Sequence, residues 1–169
     1  MEPHTLDAFY RLGAALLVGA LIGFERGWRK REEPQGSRTA GLRTFSLIGL
    51  FGGIAGVLSP AAGALLIAAG FVAVAALAVV MYLSAVRTHG NIGATTEFAT
   101  FVAFGLGALA GRGEIVVAIA TAVVVVALLD MKTLLHGLMT KVRHDEFRAA
   151  IKLLLVSAVL LPILDLSNM

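Results

Sequence analysis

Residues 45–86, FSLIGLFGGIAGVLSPAAGALLIAAGFVAVAALAVVMYLSAV, contain no Asp, Glu, Lys or Arg. A membrane-spanning helix needs about 20 predominantly apolar residues, so this stretch is long enough for two. Ser59 and Pro60 mark the turn expected between them. Working outward, further apolar segments run over about 8–24, 95–111, 114–132 and 149–164, and the uncharged pair divides as 44–59 and 61–86. The segments after residue 94 reach span length only when their interfacial flanks are counted, and the last contains Lys152 and ends at Pro162. With 58% hydrophobic residues, 15% charged residues and a mean hydropathy of +0.88 over 169 residues, the composition is that of an integral membrane protein. The expectation is an all-α, polytopic transmembrane helical bundle in a single domain, 1–169, with five spans and a sixth at 149–164.

The ends of these segments set the orientation. The loop 25–43 contains Arg26, Arg29, Lys30, Arg31, Arg38 and Arg43. Arg87 follows the third segment, and Lys132, Lys141, Arg143, Arg148 and Lys152 surround the fifth connection. Short loops rich in Lys and Arg stay in the cytoplasm. Only Arg11 and Arg112 of the 14 basic residues then fall outside, and the N-terminus faces away from the cytoplasm. The start, MEPHTLDAFYR, has neither the basic region nor the small-residue cleavage site of a signal peptide, so the first helix is expected to be retained. Cysteine is absent, which removes disulfides, thiolate metal sites and nucleophilic thiols.

Charges at the segment boundaries raise the question of a site. Glu25 and Asp130 follow apolar runs and Arg43 precedes one; each is at the end its helix dipole disfavours. Glu97, at the start of the fourth segment after Thr95 and Thr96, agrees with the dipole. Charges at apolar boundaries need partners, so a polar cluster is expected in which Arg43 pairs with Glu25 or Glu97, beside Arg26, Thr44, Thr95 and Thr96. The plainer reading makes each an interfacial charge that fixes helix depth. Carboxylates also suit a hard divalent cation, and Glu25, Glu97 and Asp130 are the metal candidates. Trp28 is expected at headgroup level. His89, His136 and His144 lack ligand spacing.

Small residues form the second pattern. Gly19, Gly23 and Gly27 recur every four residues, as do Gly49 with Gly53 and Gly107 with Gly111. Such spacing lets membrane helices approach closely, within one chain or across a homodimer. No catalytic dyad, nucleophile with a base, or phosphate-binding loop stands in credible context, so an enzyme is not expected. Nucleic-acid binding is not expected either, because topology accounts for the basic loops.

The run LLVGALIGFERGWRKREEPQGSRTAGLRTFSLIGLFGG resembles the signature of the MgtC/SapB family of bacterial inner-membrane proteins. The matching residues are Gly23, Glu25 and Arg26, then Ala40, Gly41, Leu42, Arg43 and Thr44. GATTEFATFVAFGLGALAG is similar to the family's Gly-Leu-Thr-Thr-Ala segment at Gly93, Thr95 and Thr96. The resemblance covers Leu12 to about Leu135. Here the first loop is longer and Glu97 stands where many members have alanine, which looks more like the MgtC-like half of a larger two-part branch. The resemblance implies a multi-pass protein of the bacterial inner membrane involved in magnesium or other divalent-cation homeostasis. One reading makes it a transporter with magnesium as its substrate and no cofactor. The other makes it a non-transporting regulator that binds another membrane protein, such as an ATPase or ATP synthase. The implied partners are the lipid bilayer and a second copy or second membrane subunit.

Overall fold

A computed structural model describes residues 3–29, 40–89, 94–131, 137 and 143–157. The regular structure among the described residues is helical: α1 Pro3–Arg29, α2 Leu42–Ala62, α3 Ala64–His89, α4 Thr95–Gly111, α5 Ile115–Asp130 and α6 His144–Leu155. The chain forms two compact units, Met1–Asp130 and Met131–Met169. Three helices, over His4–Arg29, Leu42–Ala62 and Ala64–Arg87, are long and apolar enough to cross a membrane. Two apolar helices, α4 and α5, are shorter, at 17 and 16 residues.

Two boundaries differ from the sequence reading for identifiable reasons. The first helix does not stop at Phe24; it continues through Glu25 and Arg26 to Arg29. Nothing between Phe24 and Arg29 breaks a helix, and Arg26 and Arg29 in the last turn suit its partial negative charge. Of the expected loop 25–43, residues 30–39 lie outside the described residues. Nor does Pro60 make the turn. It lies inside α2, where its missing N–H would leave the Gly56 carbonyl without a helical donor. The Ser59 hydroxyl donates to that carbonyl at 2.8 Å and fills the gap. The helix ends three residues later, where Gly63, at φ +79°, donates its N–H to the Ser59 carbonyl at 2.8 Å.

In the first unit the three helices α1, α2 and α4 meet backbone to backbone. A Cβ on Gly19 would collide with the Phe45 carbonyl, one on Gly23 would lie 2.9 Å from Leu42 Cα, and one on Gly49 would lie 2.5 Å from the Ala15 carbonyl oxygen. These pairings run α1 antiparallel to α2. On the other side of α2, Gly107 abuts Gly49 and Gly111 abuts Gly53, so α4 runs parallel to α2. Gly27 has looser contact, its Cβ position 4.0 Å from the Leu42 nitrogen. Small buried residues, Ala14, Ala15, Ala99, Ala103, Ala110, Ala118 and Ala122, continue this core, with Phe45 and Phe104 as its largest fillers. Phe104 meets Phe51 of α2 at 5.5 Å and Phe71 of α3 at 6.2 Å between ring centroids.

Large apolar side chains are on the outside: Leu17, Leu47, Leu65, Val72 and Val116 are all exposed. Small residues inside and large aliphatic ones outside is the arrangement expected where lipid, not water, surrounds the helices and close backbone packing drives association.

The second unit contains α6. It begins at His144, before the expected start at 149, and the Glu146 carboxylate accepts a hydrogen bond from the Arg143 N–H at 3.2 Å. Asp145 and Glu146 in the first turn and Lys152 in the last agree with the helix dipole. The expected span 149–164 lies outside the described residues from 158 onward.

Candidate functional site

The helix directions bring the C-terminal end of α1, the N-terminal ends of α2 and α4 and the C-terminal end of α5 to one end of the first unit. That end carries the boundary charges. Glu25 and Arg26 are 8% and 7% exposed and form a two-point ion pair, Arg26 Nε to Glu25 Oε2 and Nη2 to Oε1, the second at 2.7 Å. Consecutive helix residues point in different directions, so both side chains must bend into a shared space. Burial supplies the reason, because an unpaired charge there would be far costlier than the bent geometry.

Arg26 also donates from Nη2 to the Leu129 carbonyl at 3.4 Å, and Arg29 donates from Nη1 to the same oxygen at 2.8 Å. This carbonyl belongs to the last turn of α5, where helix carbonyls have no internal partner and the dipole favours cations. Two arginines of α1 therefore hold the end of α5.

The expected pairing of Arg43 with Glu25 or Glu97 is not what the structure contains. Both Glu25 oxygens are bonded to Arg26, and Arg43 is exposed on α2. Leu42 is drawn against Gly23 of α1, and the next residue along a helix points about 100° away, which turns Arg43 outward. Thr44 and Thr96 are half-buried and Thr95 is exposed.

Glu97 is 8% exposed, and its Oε2 has no hydrogen-bond partner. It shares the buried side of α4 with Thr100, whose hydroxyl donates to the Glu97 carbonyl at 2.6 Å. Its place in the first turn of α4 suits a negative charge. Glu25, Glu97 and Asp130 do not converge on one ion: among the described residues no group of three or more His, Cys, Asp or Glu side chains is arranged to hold a metal.

Glu25 and Asp130 do face a common space. A groove of about 410 Å³ runs between α1 and α5, lined by Phe24, Glu25 and Trp28 from one helix and Val123, Val126, Ala127 and Asp130 from the other. The Phe24 and Trp28 rings stack, with centroids 6.0 Å apart. The i, i+4 spacing of those two aromatics was visible in the sequence, but the Leu129 carbonyl that draws Arg26 and Arg29 to α5 was not. A backbone acceptor has no residue-type signal.

No curated protein and no solved structure matches this chain. The sequence profile of the MgtC family matches residues 12–138, which takes in α1 from Leu12 onward, α2 to α5, and both walls of the groove. The match covers well over half of the chain, and the chain belongs to the MgtC family.

Proposed function

We propose that this protein serves magnesium homeostasis in the bacterial cytoplasmic membrane without conducting the ion itself, by engaging another membrane component. In this reading α1 to α5 all cross the bilayer, the N-terminus faces away from the cytoplasm, and the charged end lies in the cytoplasm with most of the basic residues. The observation that supports it is the close backbone contact among the helices of the bundle. The helices α1, α2 and α4 touch through glycine backbones, and the buried hydroxyls of Ser59 and Thr100 are spent on carbonyls of their own helices. A conducting path needs polar groups turned toward a cavity at mid-depth. Among the described residues, the buried charged ones, Glu25, Arg26 and Glu97, lie at one end instead. Because the glycine faces of α2 are taken up within the chain, a partner would be met through other surfaces.

The test is magnesium flux into liposomes containing the purified chain, read with an entrapped indicator under an imposed gradient. The expected result is no flux above empty liposomes. Flux that Glu97→Gln abolishes would overturn the proposal and favour transport, a reading that one feature supports: the unpartnered Glu97 oxygen at the mouth of the bundle.

A further inference from the structure

The groove between α1 and α5 has a chemistry of its own, independent of whether the protein conducts. Its two ends differ. Phe24 and Val123 lie toward the apolar length of their helices, whereas Trp28 and Asp130 lie at the charged end. The apolar-to-polar gradient of the groove therefore runs in the same direction as that of the bilayer itself. Its walls are short: Phe24 to Trp28 is about 6 Å of helix and Val123 to Asp130 about 10 Å. A docked helix reads anchors over several turns, more than the α1 wall provides. A volume of about 410 Å³ is instead in the small-ligand range.

Charge narrows the ligand further. The Glu25 carboxylate is neutralised by Arg26, while among the described residues no cation pairs with Asp130. One residue before Asp130 in the chain, the Leu129 carbonyl holds the exposed Arg29 guanidinium by a single bond at 2.8 Å, which leaves other N–H groups of that fork to donate. An acceptor for a cation, Asp130, thus lines a slot of valines and stacked rings, and a donor for a phosphate, Arg29, is held at the same end of α5. Aromatic faces also attract ammonium groups.

We infer that this groove binds a single phospholipid with a primary-ammonium headgroup. The ammonium lies at Asp130, the phosphate at Arg29, and the first acyl carbons against Phe24, Val123 and Val126. A primary ammonium has N–H donors for the Asp130 carboxylate, whereas a trimethylammonium has none. The two headgroups carry the same charges, so the site distinguishes phosphatidylethanolamine from phosphatidylcholine by hydrogen bonding.

Trp28 is the one tryptophan in the chain, so its fluorescence reports on the groove without interference. The full-length protein is reconstituted in phosphatidylcholine vesicles that carry an equal small fraction of brominated-chain phosphatidylethanolamine, phosphatidylcholine or phosphatidylglycerol. The expected result is about threefold stronger apparent binding of the ethanolamine lipid than of the choline lipid, the size of one weak net hydrogen bond. Asp130→Leu, which has no acceptor, removes this preference and Asp130→Glu keeps it. Ala127→Phe, which fills the groove, removes it while the helical circular dichroism is retained. Equal quenching by the ethanolamine and choline lipids, or a preference that survives Asp130→Leu, overturns the assignment. Strongest quenching by phosphatidylglycerol would also overturn it and point to the basic residues alone, and a Trp28 shielded from all three would mean that a protein segment covers the groove.

Discussion

Replacing Gly107 with alanine adds one methyl group at the tightest point between α2 and α4. Its Cβ would lie 2.8 Å from the Gly49 carbonyl carbon, 3.0 Å from Gly49 Cα, and closer still to the Gly49 oxygen. An ordinary contact at 3.4 Å or more therefore requires the two backbones to part. Separation by about 0.5–1 Å forfeits a quarter to a half of the dispersion attraction along the seam. Retreat of α2 is blocked, because the same Gly49 is pressed on its other side against the Ala15 carbonyl and Gly19. Overpacking costs typically about 1–3 kcal/mol, and a residue wedged from both sides belongs at the upper end. Alanine regains about 1 kcal/mol of helix propensity over glycine, which leaves a net loss of about 2 kcal/mol. Gly105, two residues earlier on α4, has open space where its Cβ would be, so Gly105→Ala collects the propensity gain without the clash. The comparison cancels the propensity term and predicts that the two variants differ by about 3 kcal/mol. Reversible unfolding in mixed micelles with increasing dodecyl sulfate, followed by far-ultraviolet circular dichroism, measures this. Stabilities for Gly107→Ala and Gly105→Ala within about 0.5 kcal/mol of each other would refute the claim that the backbones meet at this crossing.

Other perturbations probe the charged end and the α2 terminus by the same unfolding measurement. Arg26→Ala strands the buried Glu25 carboxylate and is expected to cost about 3 kcal/mol, whereas an apolar replacement of both residues costs much less; equal losses would show that the pair is not buried together. Ser59→Ala leaves the Gly56 carbonyl unbonded for a loss of about 1 kcal/mol, and adding Pro60→Ala, which restores an N–H for that carbonyl, should recover it. Additive effects of the two changes would contradict the proposed substitution of hydroxyl for amide. Arg43→Ala is expected to change stability by less than about 0.5 kcal/mol, since Arg43 is exposed and Arg26 takes the role of partner to Glu25; a loss of several times that would reinstate Arg43 as a buried cation.

Much of the architecture was legible in the residues, and what was not has a definite cause. The uncharged run 45–86 announced two helices because length and apolarity are local, additive properties, and α2 and α3 occupy it. The four-residue spacing of Gly19, Gly23, Gly49, Gly53, Gly107 and Gly111 announced close packing, since a missing Cβ is a property of the residue itself. Boundaries were harder. Phe24 looked like a helix end because charge begins there, but backbone hydrogen bonding ignores side-chain charge and α1 runs on to Arg29. Pro60 looked like a turn because a proline withholds a donor, and only the side chain of the preceding serine reveals that the withheld bond is replaced.

The charged end shows the division most clearly. Composition and helix order were enough to bring Glu25, Arg26, Arg43, Glu97 and Asp130 to one end of a membrane-embedded bundle, because successive membrane-spanning helices alternate in direction. Which charge meets which depended on rotations about each helix axis, and these are set by where glycines allow backbones to touch. Packing of Leu42 against Gly23 turned Arg43 outward, and proximity of α1 to α5 gave Arg26 and Arg29 a carbonyl that no sequence pattern marks. Residue chemistry thus determined what the bundle is made of and which end carries its charge, and the tertiary contacts alone decided which of those charges are buried, which carbonyl the arginines reach, and where the groove lies.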